Sequence, residues 1–143
     1  MAVSGTPVRG RGPREVVRAW IEAFNRQDAP ALGALYADDA VNHQMPEAPV
    51  IGRAAITRMF REAFQAIPDM GFEVVNLIEA GEWAALEWNG WGTHLGPLGS
   101  VPPSGRRYAL QGCGFFQVRD GKIVRQRGYW DRATLANQLG LAL

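Results

Sequence analysis

The sequence predicts an α+β domain in which a cone-shaped, curved antiparallel sheet wraps around three N-terminal helices. Apolar residues recur at helical spacing up to residue 67, whereas residues 72–130 carry strand patterns separated by turns. Helices followed by a run of strands indicate the α+β class. Gly112 and Gly114 alternate within an apolar strand and fit the sharp bend or bulge of a strongly curved sheet. The open end of such a cone would form a pocket.

Length and composition fit one soluble globular domain. The 143 residues can bury a substantial core, and 47% of them are hydrophobic and 20% charged. The net charge of +1 predicts no nucleic-acid or membrane-surface partner, and no apolar run is long enough to span a membrane. The single cysteine, Cys113, excludes an internal disulfide and makes a cytoplasmic location the default. We expect a disordered tail over 1–13, rich in glycine and proline, and one domain over 14–143.

The first half of the chain predicts three helices. The first covers 15–24, where apolar residues recur every three or four positions. A second, short helix starts at Ala29 and Pro30, because proline fits a first helical turn, and it carries Leu32, Leu35 and Tyr36 on one face. The third covers 52–67 and is closed by Pro68. Between the last two helices, 40–43 fits a short strand and 47–52 a loop.

The second half predicts four long strands and a terminal helix. A loop rich in glycine and proline at 92–105 separates the two middle strands. Asp120 and Gly121 are a strong hairpin signal between the last two. Gly140 fits the C-cap of the terminal helix over 133–139. The predicted strands are 72–78, 82–91, 107–118 and 122–130.

Asp131 is the main catalytic candidate. It follows the aromatic pair Tyr129 and Trp130, where the last strand gives way to a helix. Partial burial at the mouth of an apolar pocket would raise its pKa and suit it to proton transfer. The alternative is that Asp131 only N-caps the helix that begins near Arg132.

Four other polar residues could act beside Asp131. His43, at the end of the first strand, is expected to face the mouth of the cone, or else to tie the strand end to the next loop. Gln111 and Gln117 share one strand face and could donate a hydrogen bond to a developing oxyanion, unless that face meets solvent. His94 precedes the long loop and could bind substrate or anchor the loop.

Large apolar side chains are candidate pocket walls, although each could equally belong to the core. The candidate wall residues are Trp20, Tyr36, Met59, Phe60, Phe64, Trp88 and Trp130.

No metal site is supported by the sequence, because two histidines on separate elements and one cysteine give no ligand spacing.

Several short motifs, in this order, resemble a known family. They are LYADDAVNH at 35–43, GTH at 92–94, DGKIV at 120–124, and WD at 130–131 followed by QLG at 138–140. The set resembles the SnoaL-type polyketide cyclases and their ester cyclase relatives, within the nuclear-transport-factor-2-like fold. The resemblance covers nearly everything from residue 16 to residue 141.

The resemblance implies a cofactor-independent enzyme with a hydrophobic, polyketide-like carbonyl substrate. SnoaL-type cyclases close a ring by intramolecular aldol condensation. They use an Asp as acid and base, and they need no metal. Asp131 matches that motif, while His43 and a strand glutamine would stabilise the enolate. The family often has a second Asp and a His at the positions that are Gly128 and Gln126 here. Members commonly dimerise through the sheet face, so a homodimer is expected.

Two alternatives follow from the same residues. The changes at Gly128 and Gln126 favour a non-catalytic small-molecule-binding or dimerisation module of the same fold. An enzyme related to epoxide hydrolases or ketosteroid isomerases is the other alternative, because one fold hosts many activities.

Overall fold

The computed structural model describes residues 11–142. The predicted disorder of the tail concerns residues that lie outside this range, apart from 11–13, and the first helix already begins at Pro13. The described residues form the predicted α+β fold, with one curved six-stranded sheet and four helices. No helix among them is long and apolar enough to cross a membrane.

The helices lie close to their predicted positions. They are α1 (Pro13–Asn25), α2 (Ala29–Gly33), α3 (Arg53–Ala66) and α4 (Arg132–Leu139). α1 has an apolar stripe that buries Val16, Val17 and Trp20. α2 has the predicted proline in its first turn and is N-capped by Asp28, whose carboxylate accepts the Ala31 amide.

The strands are β1 (Tyr36–Gln44), β2 (Val50–Ile51), β3 (Gly71–Ala80), β4 (Trp83–Thr93), β5 (Arg107–Arg119) and β6 (Lys122–Trp130). Their order in the sheet is β2-β1-β6-β5-β4-β3. Neighbouring strands are antiparallel as predicted, except that β1 runs parallel to β6, which corrects the antiparallel expectation at that pair. A parallel pair needs a crossover connection, and here α3 and the four strands β2 to β5 lie between β1 and β6 in the chain.

β1 is longer than predicted, and β2 falls in a segment predicted as loop. The sequence pattern favours helix for Tyr36, but Tyr36 pairs with Ile123 of β6 and is fully buried. Val50 and Ile51 pair with Asn42 and Val41. Tertiary pairing therefore outweighs the local pattern in this region.

The inside of the cone is filled with aromatic side chains. Trp20 packs against Phe24, Phe60, Phe72 and Phe116, with ring centroids 5.0–6.2 Å apart. A second apolar cluster, built on Ala66, Ile67, Tyr108, Leu110 and Leu139, lies at the end of the sheet that α4 covers. The cone is thus a packed core in this conformation.

Gly112 makes room for an aromatic side chain, although the β4–β5 register passes Gly112 and Gly114 without the predicted bulge. A Cβ built on Gly112 would lie 2.4 Å from the Trp88 indole. The Trp88 ring therefore lies flat across the inner face of the sheet, in space that a side chain on β5 would otherwise occupy. Trp88 is half-buried and contacts both apolar clusters.

Candidate functional site

Three buried polar side chains stand out in the apolar interior of the cone. Tyr36 and Asn42 lie on the inner face of β1, and Gln126 lies opposite Asn42 on β6. Their exposed fractions are 0%, 1% and 4%. Buried polar groups are costly unless they are hydrogen-bonded, so their partners are informative.

The first set of partners joins α1 to both strands. The Trp20 indole Nε1–H donates to the Tyr36 hydroxyl oxygen over 2.9 Å. The Tyr36 hydroxyl in turn donates to Oε1 of Gln126. Burial raises the pKa of Tyr36, and the Trp20 and Asn42 side chains only partly offset that effect. Tyr36 is therefore a neutral hydrogen-bond donor at physiological pH.

The second set of partners leads from the sheet end to Asn42. The Trp130 indole Nε1–H donates to Oε1 of Gln44 over 3.0 Å. Nε2 of Gln44 donates to Oδ1 of Asn42 over 2.8 Å. Nδ2 of Asn42 lies near the Tyr36 hydroxyl, whose pKa it helps to lower, but it forms no well-aligned hydrogen bond with any described residue. A buried donor of this kind is available to an acceptor that enters the cone.

Gly128 explains how Gln44 fits between these groups. A Cβ on Gly128 would lie 2.0 Å from Oε1 of Gln44, so the Gln44 amide occupies the space of a side chain at position 128. The two residues are neighbours in the β1–β6 register. The position where the family resemblance implies an Asp is thus filled by an uncharged carboxamide from the adjacent strand.

Asp131 lies outside the cone, which corrects the expectation of partial burial. It is exposed and N-caps α4, accepting the Ala133 amide and the Thr134 hydroxyl, each over 2.9 Å. The Thr134 hydroxyl, followed by the amides of Thr134 and Ala133, lowers the pKa of Asp131 instead of raising it. A carboxylate held in this way is a weak base at neutral pH.

His43 is also placed differently from its expected position. It lies opposite Arg127 in the strand register, between the inward-facing Asn42 and Gln44. Arg127 stacks over Trp83 on the outer face of the sheet, 5.1 Å from the ring centroid. Strand alternation therefore directs His43 outward, away from the mouth of the cone.

Gln111 and Gln117 belong to the outer row of β5, so their expected cavity-side position is wrong. Gln111 is exposed and pairs in register with Asn89 of β4. Nε2 of Gln117 donates to Glu82 on the surface. The inner row instead consists of Tyr108, Leu110, Gly112, Gly114, Phe116 and Val118.

The structure brings Asp131 and Gln111 to one depression on the outside. This open depression, of about 520 Å³, is lined by residues of β4, β5 and α4. It is separate from the buried polar groups of the cone, and His43 is not among its lining residues.

His94 anchors the loop that follows β4. It is fully buried, and its Nδ1 accepts the Ser104 amide over 3.1 Å while lying 3.0 Å from the Ser104 hydroxyl. Because Nδ1 accepts an amide proton, the neutral ring carries its own proton on Nε2, which has no partner among residues 11–142. These contacts fit the alternative in which His94 anchors the loop.

The candidate wall residues divide between core and sheet end. Trp20, Tyr36, Phe60 and Phe64 are buried in the main cluster, with Met59 packed against it. Trp88 and Trp130 are half-buried beside the second cluster, where α4 and the loop residue Leu98 also pack.

Asn42, Gln44 and Gln126 are the site residues that sequence reasoning missed. The sequence offered little signal for them, because Asn42, His43 and Gln44 are three consecutive polar residues and show no alternation that would mark an inner face. Residues 11–142 contain no group of three or more His, Cys, Asp or Glu side chains that could hold a metal.

Comparisons with known proteins agree with this architecture. The sequence profile described as SnoaL-like polyketide cyclase matches residues 14–139. The chain therefore belongs to the SnoaL-like polyketide cyclase family.

Its relatives include named cyclases. It is 27% identical to the aklanonic acid methyl ester cyclase DauD of Streptomyces sp. (strain C5), over 88% of this chain and 80% of that protein. It is 26% identical to the aklanonic acid methyl ester cyclase DnrD of Streptomyces peucetius, over 88% and 89%. The crystal structure of IdmH from Streptomyces antibioticus, provisionally a polyketide cyclase, superposes with a TM-score of 0.75. It is 29% identical, over 92% of this chain and all of that one.

Proposed function

We propose that the protein is a cofactor-independent cyclase or isomerase that acts on a hydrophobic, polyketide-like carbonyl compound, and that the packed side chains of the cone rearrange to admit this compound. The observation that carries the proposal is the set of buried polar groups at Tyr36, Asn42 and Gln126 inside an otherwise apolar interior. Preorganised hydrogen-bond donors in an apolar interior stabilise a developing enolate better than bulk water does. The family and the two named cyclases support the choice of substrate class.

The reaction would be a ring closure by intramolecular aldol addition. A carbon between two carbonyl groups loses a proton to water, and the resulting enolate carbon attacks a second carbonyl carbon within the same molecule. One C–C bond forms, and the new alkoxide takes a proton from water, so substrate and product have the same composition. The contribution of the protein is to fold the substrate and to stabilise the enolate.

Asp131 is not the base that this geometry favours. It is exposed, both of its oxygens accept hydrogen bonds, and its pKa is lowered. We therefore assign the larger catalytic effect to enolate stabilisation within the cone.

A second candidate is a binding module without chemistry. It is favoured by the same capping of Asp131 and by the absence of any side chain at Gly128. The two candidates differ only in whether the bound compound is converted.

One experiment separates the candidates. The purified protein is incubated with aklanonic acid methyl ester, the compound in the names of its relatives, and the product is followed by chromatography with mass detection. The cyclase proposal expects an isomeric product of unchanged mass, with turnover lost in Gln126→Leu and retained in Asp131→Ala. Binding without conversion, measured by quenching of tryptophan fluorescence, would instead support the module. If the protein neither binds nor converts the compound, the cyclase and the binding module are both contradicted for this compound class.

A further inference from the structure

We propose that Asn42 and Gln126 form a two-donor site for the oxyanion of a bound ligand, oriented by two hydrogen-bond chains that each begin at a tryptophan indole. This inference rests on the proposed function and names the groups that would receive the enolate oxygen. Asn42 and Gln126 are register partners on the parallel strands β1 and β6, so their side chains emerge side by side on the inner face.

The first chain fixes the orientation of Asn42. An indole N–H can only donate, so Trp130 must face the oxygen of Gln44. The nitrogen of Gln44 then faces Oδ1 of Asn42, which leaves the NH₂ group of Asn42 as the last donor of the chain. That group is buried beside the Tyr36 hydroxyl and forms no well-aligned hydrogen bond within 11–142.

The second chain fixes Gln126 by the same logic. Trp20 donates to the oxygen of Tyr36, so the Tyr36 proton is directed to Oε1 of Gln126. The NH₂ group of Gln126 is therefore turned away from Tyr36. Each chain begins with a group that cannot accept and ends with a carboxamide NH₂, and successive hydrogen bonds polarise one another along it.

The expected ligand is a hydrophobic molecule with an enolate, phenolate or carbonyl oxygen. The described interior offers donors here but no carboxylate, because Gln44 fills the space at Gly128. Gln44 and Trp130 are half-buried and orient Asn42 through their hydrogen bonds, so they are positioning residues.

The test uses 4-nitrophenol, whose anion absorbs visible light, so that the ionisation of the bound probe can be titrated directly. An apolar cavity without donors raises the pKa of a bound phenol, whereas two aligned donors lower it. We expect the bound probe to ionise at a lower pH than the free probe, with the anion bound about tenfold more tightly than the neutral form.

Two variants test whether the hydrogen-bond chains, and not general packing, cause the preference for the anion. Gln126→Leu removes one donor, and Trp130→Phe keeps an aromatic ring but removes the N–H that orients Gln44. Each is expected to abolish the tenfold preference for the anion or to reverse it. Trp83→Phe, on the outer face, is the matched control and should leave the preference unchanged.

The outcomes distinguish this inference from the proposed function. A bound probe that ionises at a higher pH than the free probe overturns the two-donor site while the cone remains a ligand site. A preference that persists in both variants overturns it as well. A wild-type protein that binds no 4-nitrophenol contradicts both the site and the proposed cone pocket. If Gln126→Leu fails to fold, Trp130→Phe carries the test.

Discussion

Asp131 is a single side chain for which two roles compete. Its two oxygens accept the Ala133 amide and the Thr134 hydroxyl, and these contacts hold the first turn of α4. A catalytic base needs a free, partly buried oxygen with a raised pKa, and Asp131 has none of these properties.

Replacement of Asp131 should therefore affect stability and not ligand binding. We expect Asp131→Ala to lower the melting temperature by roughly a few degrees, because an N-cap is lost. Asp131→Asn, which can still cap, should lower it less. Calorimetry and a binding titration measure the two effects. A variant with unchanged melting temperature and abolished turnover would restore the catalytic role.

Gly128 and Gln44 should behave as a coupled pair. Gly128→Ala places a methyl group in the space of the Gln44 amide, so Gln44 must move and lose its contact with Trp130. We expect a change in tryptophan fluorescence and a lower free energy of unfolding, by about 1 kcal/mol.

A double-mutant cycle provides the control for this pair. In a Gln44→Ala background the same glycine substitution should cost little, because the space is already free. Equal costs in both backgrounds would show that the two residues are not coupled.

At the scale of elements, Asp69 links the end of β4 to the start of β5. Its carboxylate accepts the Thr93 amide and hydroxyl, each over 2.7 Å, and lies 4.0 Å from Arg107. Burial acts to raise the pKa of Asp69, but the Thr93 hydrogen bonds and the Arg107 charge outweigh it, and the pKa is lowered.

This link should weaken in acid. A carboxylate whose pKa is lower in the folded state contributes stability above its unfolded pKa, and the contribution is lost as the pH falls through the folded value. We expect the wild-type melting temperature to fall more steeply than that of Asp69→Asn between about pH 5 and pH 2. Parallel curves for the two proteins would exclude Asp69 as a contributor.

Helices and long strands were predictable because their patterns are local. α3 and β6 lie within a residue or so of their expected bounds, since periodic apolar residues and the Asp120–Gly121 hairpin define them. β1 was less predictable, because its pairing with β6 joins residues about 85 positions apart and leaves no local signal.

The site was harder to predict than the fold. A strand side chain changes face with every residue, so its position depends on register. On β5 the inner row includes Gly112 and Gly114, while the outer row includes Phe115, so polarity alone does not reveal which row faces the core. The role of Gln44 depends on Gly128, far away in sequence, and no pattern within β1 announces it.

At the scale of the molecule, the outer face of the sheet has the character of an interface. Phe115 and Tyr129 are exposed there with an edge-to-face contact of 6.1 Å, beside Trp83 and Arg127. Aromatic and arginine side chains are enriched in interfaces. We therefore propose that the protein forms a homodimer through this face of the sheet.

Disruption of that face tests the proposed dimer. We expect the wild-type protein to sediment as a dimer and Phe115→Glu as a folded monomer, because a charge would be buried without a partner. Ala109→Glu, on the same strand face but beyond the aromatic patch, is the matched control. A wild-type monomer at micromolar concentration would contradict the proposal.

The parallel contact between β1 and β6 also constrains how the chain folds. Two strands from opposite ends of the domain must meet before the interior is sealed, and such distant contacts slow folding. During synthesis, the apolar faces of the N-terminal helices remain exposed until the last strand, β6, leaves the ribosome. The nascent chain should therefore depend on chaperones until β6 has emerged, more than a domain built from neighbouring segments would.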